Sequence, residues 1–524
     1  MLTDSTITGL LKLYDSGKLC LPTIQRGYVW KDKQVAKLID SLYRDVPIGL
    51  FLFWEPENIK HFKDLKGSKP KIPTIAIIDG QQRLTSIHLV QTGEKSVMFD
   101  TSYPNGKFQI ENKKTKADPK WISVAEVWNT KKGPSKFNRE IADKLKMTSP
   151  EKKDQLNDKI DKIRAIPAIL LHNHIINEEN YSKITQIFRT INTSGKKLSP
   201  ADAVYAVAAL KFPGIVTEEL EKIREKYKNW QTMVIKNDFF SNALASLCIN
   251  TVKMKPFEEY LLNQKTTKAK MKVQLKKLKR GTAATYDFFQ DNFGINEKNA
   301  KQLIPGRNTF VPMVNLLGQT KGRLGNKETK LLKLWLFLAI HNSQYSGKAY
   351  KWLDHDIRNI DPKDAHKTIQ LWLKSIETQF GVFKITDLGS KLDQKSRFSV
   401  FFALKQNKAK DWWTGTSIEN LAKTEYHHIF PQAVLEKAGY TKSEINDPRN
   451  IAVLSEFTNR MQQDEKPINY FNDRNLISDP ERLFNQYVPQ DDDLWKVENY
   501  KDFLEERGKL IVATLDRFVT RTKK

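Results

Sequence analysis

Cysteine is close to absent. Cys20 and Cys248 are the two in 524 residues, too far apart in sequence for a zinc ribbon and too few for a disulfide framework, which points to a reducing compartment. Long apolar runs are missing as well. The longest, around LLKLWLFLAI at 331–340, is short and broken by lysine, which excludes a membrane span there. The opening stretch, MLTDSTITGLLKLYDSGKL, has no basic segment leading into an apolar one, so it is not read as a secretory signal and a cytoplasmic location is expected. No G-x-x-x-x-G-K-[ST] occurs, so any nucleotide site is not a P-loop. Acidic residues are outnumbered, 61 against 87 Lys and Arg, for a formal net charge of +26. Such an excess attracts polyanions whatever their sequence, nucleic acid first among them. The plainer alternative is a lysine-rich, solvated surface.

What is present is enough to fold. A hydrophobic content of 39% with 10% aromatics excludes global disorder, and the length predicts two or three domains. The first part alternates strand and helix signals. KDKQVAKLIDSLYRD (31–45) sets Val35, Leu38, Ile39 and Leu42 on one helical face. VPIGLFLFWE (46–55) and IPTIAIID (72–79) read as strands, RLTSIHLVQ (83–91) as a helix, AIPAILLHNHII (165–176) as a strand and NYSKITQIFRTIN (180–192) as a helix. Residues 1–210 are therefore expected to form an α/β domain. From 211 to 395 the period becomes helical, as in TEELEKIREKYKNW (217–230) and ETKLLKLWLFLAIHNSQYS (328–346). In QKTTKAKMKVQLKKLKRG (264–281), Met271, Leu275 and Leu278 share one face and lysines fill the others, giving either a solvated helix or a phosphate-tracking surface. Aromatics and short β-like pieces return in 396–524.

Two places carry chemistry. In TEYHHIFPQ (424–432), His427 and His428 stand side by side in a chain with nine histidines. Then come DPRNIAVL (447–454), a turn and strand, and SEFTNRMQQDEKP (455–467), where Ser455 suits a helix N-cap. The order is strand, loop, strand, helix. A metal-dependent nuclease needs ligands from strand and helix around a divalent ion, and a general base beside it. The bland alternative is a His-His pair capping a strand. In IAIIDGQQRLTSIHLV (75–90), a strand delivers Asp79, Gly80 allows a tight turn, and Gln81, Gln82 and Arg83 stand at a helix mouth, where N–H groups and the helix dipole favour anions. Arg83 could grip phosphate bidentately, and Asp79 could hold Mg²⁺ or position a water; alternatively this is a strand–helix connection with a surface arginine. Upstream, Gln25, Arg26, Tyr28 and Trp30 in PTIQRGYVW offer polar and stacking groups; downstream, FRTINTSGKKLSPAD adds Arg189 and Asn192.

The His-His-x-x-Pro opening, the strand beginning at Asn450 and the helix bearing Asn459 resemble the HNH (ββα-metal) nucleases. That resemblance implies His428 as general base, His427 and Asn459 as ligands of Mg²⁺ or Mn²⁺, and Asn450 tying the loop to the base. Many such nucleases carry an acidic residue where His427 stands and a histidine where Asn459 stands. With IQRGYVW, IIDGQQRLT and FRTINTSGKKLSPAD in order before it, the chain resembles the GmrSD family of modification-dependent restriction and anti-phage proteins over roughly 1–210 and 396–524; a nuclease of the phosphorothioate defence systems is a similar case. The resemblance implies an α+β multidomain protein: a ParB/sulfiredoxin-like N-terminal domain, a helical bridge and a C-terminal HNH domain. It assigns Asp79, Gly80, Gln81, Gln82 and Arg83, with Gln25 and Arg26, to a nucleoside triphosphate (GTP, ATP, UTP or CTP). Tyr28, Trp30, Arg189 and Asn192 would sense DNA or its modification, and the aromatic pair could equally line the nucleotide pocket. The expected partners are phage or modified DNA and further copies or defence-system subunits, with no membrane. A nucleotide-switched DNA-binding or partner-recruiting protein whose nuclease is inactive or dormant without a partner subunit, and a plain nucleic-acid-coating protein, are the alternatives.

Overall fold

The computed structural model describes residues 6–22, 28–55, 62–63, 75–104, 106–176, 199–212, 214–230, 237–304, 308–346, 350–381, 384–389, 391–473 and 477–523, with the single residues 183, 187 and 306. Helices dominate, with strands gathered at the two ends of the chain. Two compact units divide it: residues 1–199 with 205–217, and residues 200–204 with 218–524. Among the described residues no helix is long and apolar enough to cross a membrane.

The first unit is built on a five-stranded sheet. Its strands are β1 (Leu19–Pro22), β2 (Phe51–Trp54), β3 (Phe62–Lys63), β4 (Ile75–Asp79) and β8 (Asn173–Ile176), in the order β3-β1-β4-β2-β8. The pairs β1–β4 and β2–β8 are parallel; β1–β3 and β2–β4 are antiparallel. The sequence shows why this sheet is covered on both sides. Alternate residues of a strand face opposite ways, and here both sets are apolar. Leu19, Leu21, Phe51, Phe53, Ile75 and Ile77 enter the main core with the helices Ile7–Asp15, Asp32–Tyr43 and Gln81–Gln91. Cys20, Leu52, Trp54, Ala76 and Ile78 pack on the other side against Ala206 and Ala209 of the helix Pro200–Lys211. A smaller antiparallel sheet, β5 (Val97–Asp100), β6 (Phe108–Ile110) and β7 (Trp121–Ser123), has β5 at its centre.

Three expected elements differ in extent. The strand read over 46–55 begins only at Phe51, because the carbonyls of Ile48 and Leu50 are taken by the Arg83 guanidinium, not by a neighbouring strand. The strand read over 165–176 is confined to Asn173–Ile176; Pro167 lies in a 3₁₀ turn, Ile166–Ala168, that closes the helix Pro150–Ala165. The helix read from Arg83 starts at Gln81. The helix read over 180–192 falls outside the described residues except Lys183 and Ile187.

In the second unit, Met271, Leu275 and Leu278 of the helix Lys268–Phe293 are buried as their spacing predicts, while Lys272, Lys276 and Lys279 face solvent. This helix crosses Phe310–Gln319 at two glycines. A Cβ at Gly281 would collide with the Val314 carbonyl oxygen, and one at Gly318 would lie 2.6 Å from the Lys277 carbonyl. Farther on, β9 (Thr424–His428) and β10 (Ile451–Ser455) form an antiparallel hairpin pairing His428 with Ile451 and His427 with Ala452, and Ser455 caps the helix Glu456–Gln462 as expected. Among the described residues no third strand pairs with the outer edge of β10; side chains serve it instead. Arg507, fully buried on the helix Tyr500–Lys523, donates to the carbonyls of Ile451 (2.8 Å), Gln486 and Arg449. The Gln486 amide bonds both the N–H and the carbonyl of Val453, and Asp411 accepts from the Ser455 N–H at 2.7 Å.

Gly281→Ala is expected to destabilise this unit by about 1–3 kcal/mol, since backbone on both sides must move to admit one methyl group. A shift of the denaturation midpoint in urea, against Ala284→Ser on the same helix as control, checks it.

Candidate functional site

Sequence-distant motifs meet in the first unit. β4 ends at Asp79, and Gly80 turns the chain with φ 101°, which an L side chain rarely adopts; a Cβ there would also run into the Phe51 ring. The helix Gln81–Gln91 then starts without a side-chain cap. Arg83, one turn in, is spent internally. Its guanidinium bonds Asp79 Oδ2 at 2.8 Å and the carbonyls of Ile48 at 2.6 Å and Leu50 at 2.8 Å, and lies 4.5 Å from the centre of the Phe51 ring. Burial lowers its pKa and the Asp79 carboxylate opposes that shift. Asp79 itself keeps about a third of its side chain in solvent, 37%.

Tyr28, Val29 and Trp30 dock on the same helix. Val29 N–H donates to Gln82 Oε1 at 2.8 Å. Ser86 gives its proton to the Gln82 carbonyl, so the Tyr28 hydroxyl, 2.9 Å away, donates to Ser86 Oγ. Gln81 is buried, and Tyr28 and Trp30 pack half-buried against the main core. Of the expected nucleotide and sensing residues, Asp79, Gly80, Gln81, Gln82, Arg83, Tyr28 and Trp30 thus form one neighbourhood. Gln25, Arg26, Arg189 and Asn192 lie outside the described residues.

In the second unit the hairpin sends its two histidines opposite ways. His427 turns toward the helix Glu456–Gln462: its Nδ1–H donates to Asn459 Oδ1 at 2.6 Å, and its ring meets Trp412 edge-on. Nε2 therefore carries the lone pair, buried and without a partner. Burial is the main cause that pushes the His427 pKa down to about 4, so the ring is neutral at neutral pH. His428 turns to the other side. Its Nε2–H donates to Asn446 Oδ1 at 3.1 Å, leaving a lone pair on Nδ1, and the Asn446 amide is oriented by the Lys442 carbonyl. Burial, first, and the nearby Arg397 charge lower the His428 pKa, and the Asn446 bond opposes them. Asn450 acts one step back. Fully buried, it bonds the N–H and carbonyl of Phe430 and the carbonyl of Ile445, fixing the loop behind His428, while the amide that reaches the ring belongs to Asn446.

A divalent ion needs a neutral imidazole with a free lone pair; His427 Nε2 carries one, but the Asn459 amide oxygen is bound at Nδ1 on the other side of the ring, so His427 and Asn459 would share one ion only through Nδ1, with the bond between them given up. The donor chemistry fits an ion of the Mn²⁺ or Mg²⁺ type that draws its remaining ligands from water and phosphate. Among the described residues there is no cluster of three His, Cys, Asp or Glu that could complete a site alone.

Asn446, Arg397 and Tyr426 were not singled out in the sequence. Tyr426 could have been, since a residue two before His428 shares its face of the strand; nothing local marks the other two.

Residues 7–209 match the family model described as GmrSD restriction endonuclease, N-terminal domain. Along nearly its whole length the chain is also similar to an uncharacterized protein of Methanocaldococcus jannaschii, 23% identical over 595 aligned positions that cover 97% of either chain.

Asn450→Ala is expected to cost about 1–3 kcal/mol of stability, because it strands buried backbone groups, whereas Asn446→Ala, at a half-exposed ring contact, costs less than about 1 kcal/mol. Urea titrations of the two variants side by side test that order.

Proposed function

The chain belongs, through residues 7–209, to the GmrSD family, and on that premise we propose that it is a restriction-type DNA endonuclease whose N-terminal domain, ParB/sulfiredoxin-like, binds and hydrolyses a nucleoside triphosphate and controls an HNH domain at the C-terminus. The observation that carries the nuclease reading is the pair of side-chain bonds across the hairpin, His427 to Asn459 and His428 to Asn446. One histidine is thereby presented by its unpartnered Nε2 and the other by its Nδ1.

The mechanism follows from these tautomers. His428 Nδ1 takes the proton of a water as the water attacks the phosphorus, and Asn446 holds the ring so that the lone pair, not the N–H, meets the water. Asn450 keeps the loop from drifting and so keeps the base in place. His427 and Asn459 would hold the divalent ion, which would supply charge neutralisation for the phosphate and its leaving oxygen. The departing 3′ oxygen leaves a 5′-phosphate product.

In the first unit, the uncapped helix mouth after Gly80 and the half-exposed Asp79 support a triphosphate site. Arg83 serves that site as a clamp on Asp79 and the 48–50 loop. Gln25 and Arg26 are proposed to serve the same triphosphate, Tyr28, Trp30, Arg189 and Asn192 to contact phage DNA or its modification, and coupling to the nuclease requires a two-state element that both ligands bias. One observation favours the runner-up, a nucleotide-switched DNA-binding protein with a dormant nuclease: the two proposed ligands bond each other directly, and no acidic residue completes the set among the described residues.

Plasmid and phage DNA, modified and unmodified, incubated with Mg²⁺ or Mn²⁺ with and without nucleoside triphosphates, decide between the two. His428→Ala should lose about 10²–10⁴-fold in cleavage rate with its thermal midpoint kept, and Asp79→Asn should lose nucleotide turnover. Cleavage by neither protein under any condition would favour the switched binder.

A further inference from the structure

Arg397 lies on the helix Gln394–Gln406, within its first turns. Its guanidinium carbon is 5.4 Å from the centre of the Tyr426 ring. Tyr426 and His428 share a face of β9, and the Arg397 charge acts on both side chains. Arginines at such depth are normally spent on carboxylates or carbonyls, as Arg83 and Arg507 are here. Arg397 is not. Its Nε–H is buried without a hydrogen-bond partner, and among the described residues no carboxylate pairs with its guanidinium. The Tyr426 hydroxyl beside it is also buried and unpartnered. Two stranded donors cost about 1–3 kcal/mol each. They sit on the same side of the strand as His428, whose Nδ1 carries the free lone pair.

A fork of N–H donors, a phenol and a neutral imidazole acceptor together match one kind of ligand: a phosphodiester with an attacking water. The anion takes the donors and the imidazole takes the water's proton. We propose that Arg397, assisted by the Tyr426 hydroxyl, is the phosphate clamp of the nuclease site, binding the scissile phosphate of DNA on the His428 face of β9. This rests on reading the hairpin as the nuclease. It adds to that reading a binding and charge-stabilising residue contributed by a helix outside the ββα segment.

The test separates the clamp from the chemistry. A fluorescein-labelled 20-base-pair duplex is bound to full-length His428→Ala protein without divalent metal, and anisotropy is followed across a salt series. Adding Arg397→Gln should weaken binding and reduce the slope of log affinity against log salt by about 0.9, the value for one phosphate contact on duplex DNA. Tyr426→Phe should weaken binding roughly 2- to 10-fold, as expected for one hydrogen bond, without changing the slope. In the active protein, Arg397→Gln should lower kcat by about 10²–10³-fold. Arg397→Lys, which keeps charge but not the planar fork, should keep the slope and still lose at least about tenfold in kcat, with KM little changed. An unchanged affinity and slope in Arg397→Gln would overturn the proposal. Were that variant to unfold, an Arg397→Lys protein with wild-type kcat would overturn it. A slope change in a protein that cuts no DNA would leave the clamp standing and remove the nuclease.

Discussion

The C-terminal unit depends on the outer edge of β10. Two strands alone are marginal in water, and this hairpin has to hold two histidines in fixed and opposite directions. Its inner edge is satisfied by β9; its outer edge is satisfied by three side chains from three separate segments. Asp411 takes Ser455, Gln486 takes Val453, and Arg507 takes Ile451. Arg507 shows the cost. Burial lowers its pKa to about 9, which leaves it charged at neutral pH in a cage of carbonyl oxygens, with no paired carboxylate among the described residues. Such a cation is expensive to bury unless every donor is used. It therefore ties the helix Tyr500–Lys523, the 3₁₀ turn at Asn450 and the strand into one cooperative piece.

The N-terminal unit uses the same device at its centre. Arg83 closes a ring from the end of β4 across to the 48–50 loop, and Phe51 lies beneath it in the space that Gly80 leaves open. The DGQQR motif is thus in the first place a knot between strand, helix and loop. Any chemistry proposed for that site falls to the groups the knot exposes, Asp79 and the uncapped turn, with the arginine as their support.

What could be read from the sequence was local. Ser455 as a cap, the buried row Met271, Leu275 and Leu278, and the alternation that buries both sides of the central sheet follow from chemistry within a few residues. The candidate site was legible to the same depth: residue types at His427, His428 and Asn459 pointed to the neighbourhood, and the hairpin register brings His427 against Asn459. Their partners were not legible. Asn446, Arg397, Gln486 and Arg507 come from 18 to 56 positions away from the hairpin residues they meet, through the register of helices that no short-range pattern fixes. The role of Arg83 was hidden for another reason. An arginine at a helix mouth looks the same in sequence whether it faces an anion or backbone carbonyls, and only the course of residues 46–50 decides.

The side-chain edge of β10 has a bearing on parity. Adjacent strand residues face opposite ways, so sliding β10 by one position along β9 would exchange what every side chain in the hairpin meets. Gln486 grips Val453 by both its N–H and its carbonyl, and Asp411 and Arg507 mark positions two residues to either side. These three act as indexing pins. They allow the strand one setting, and in a chain where two identical side chains stand next to each other, that setting alone gives the twins different occupations.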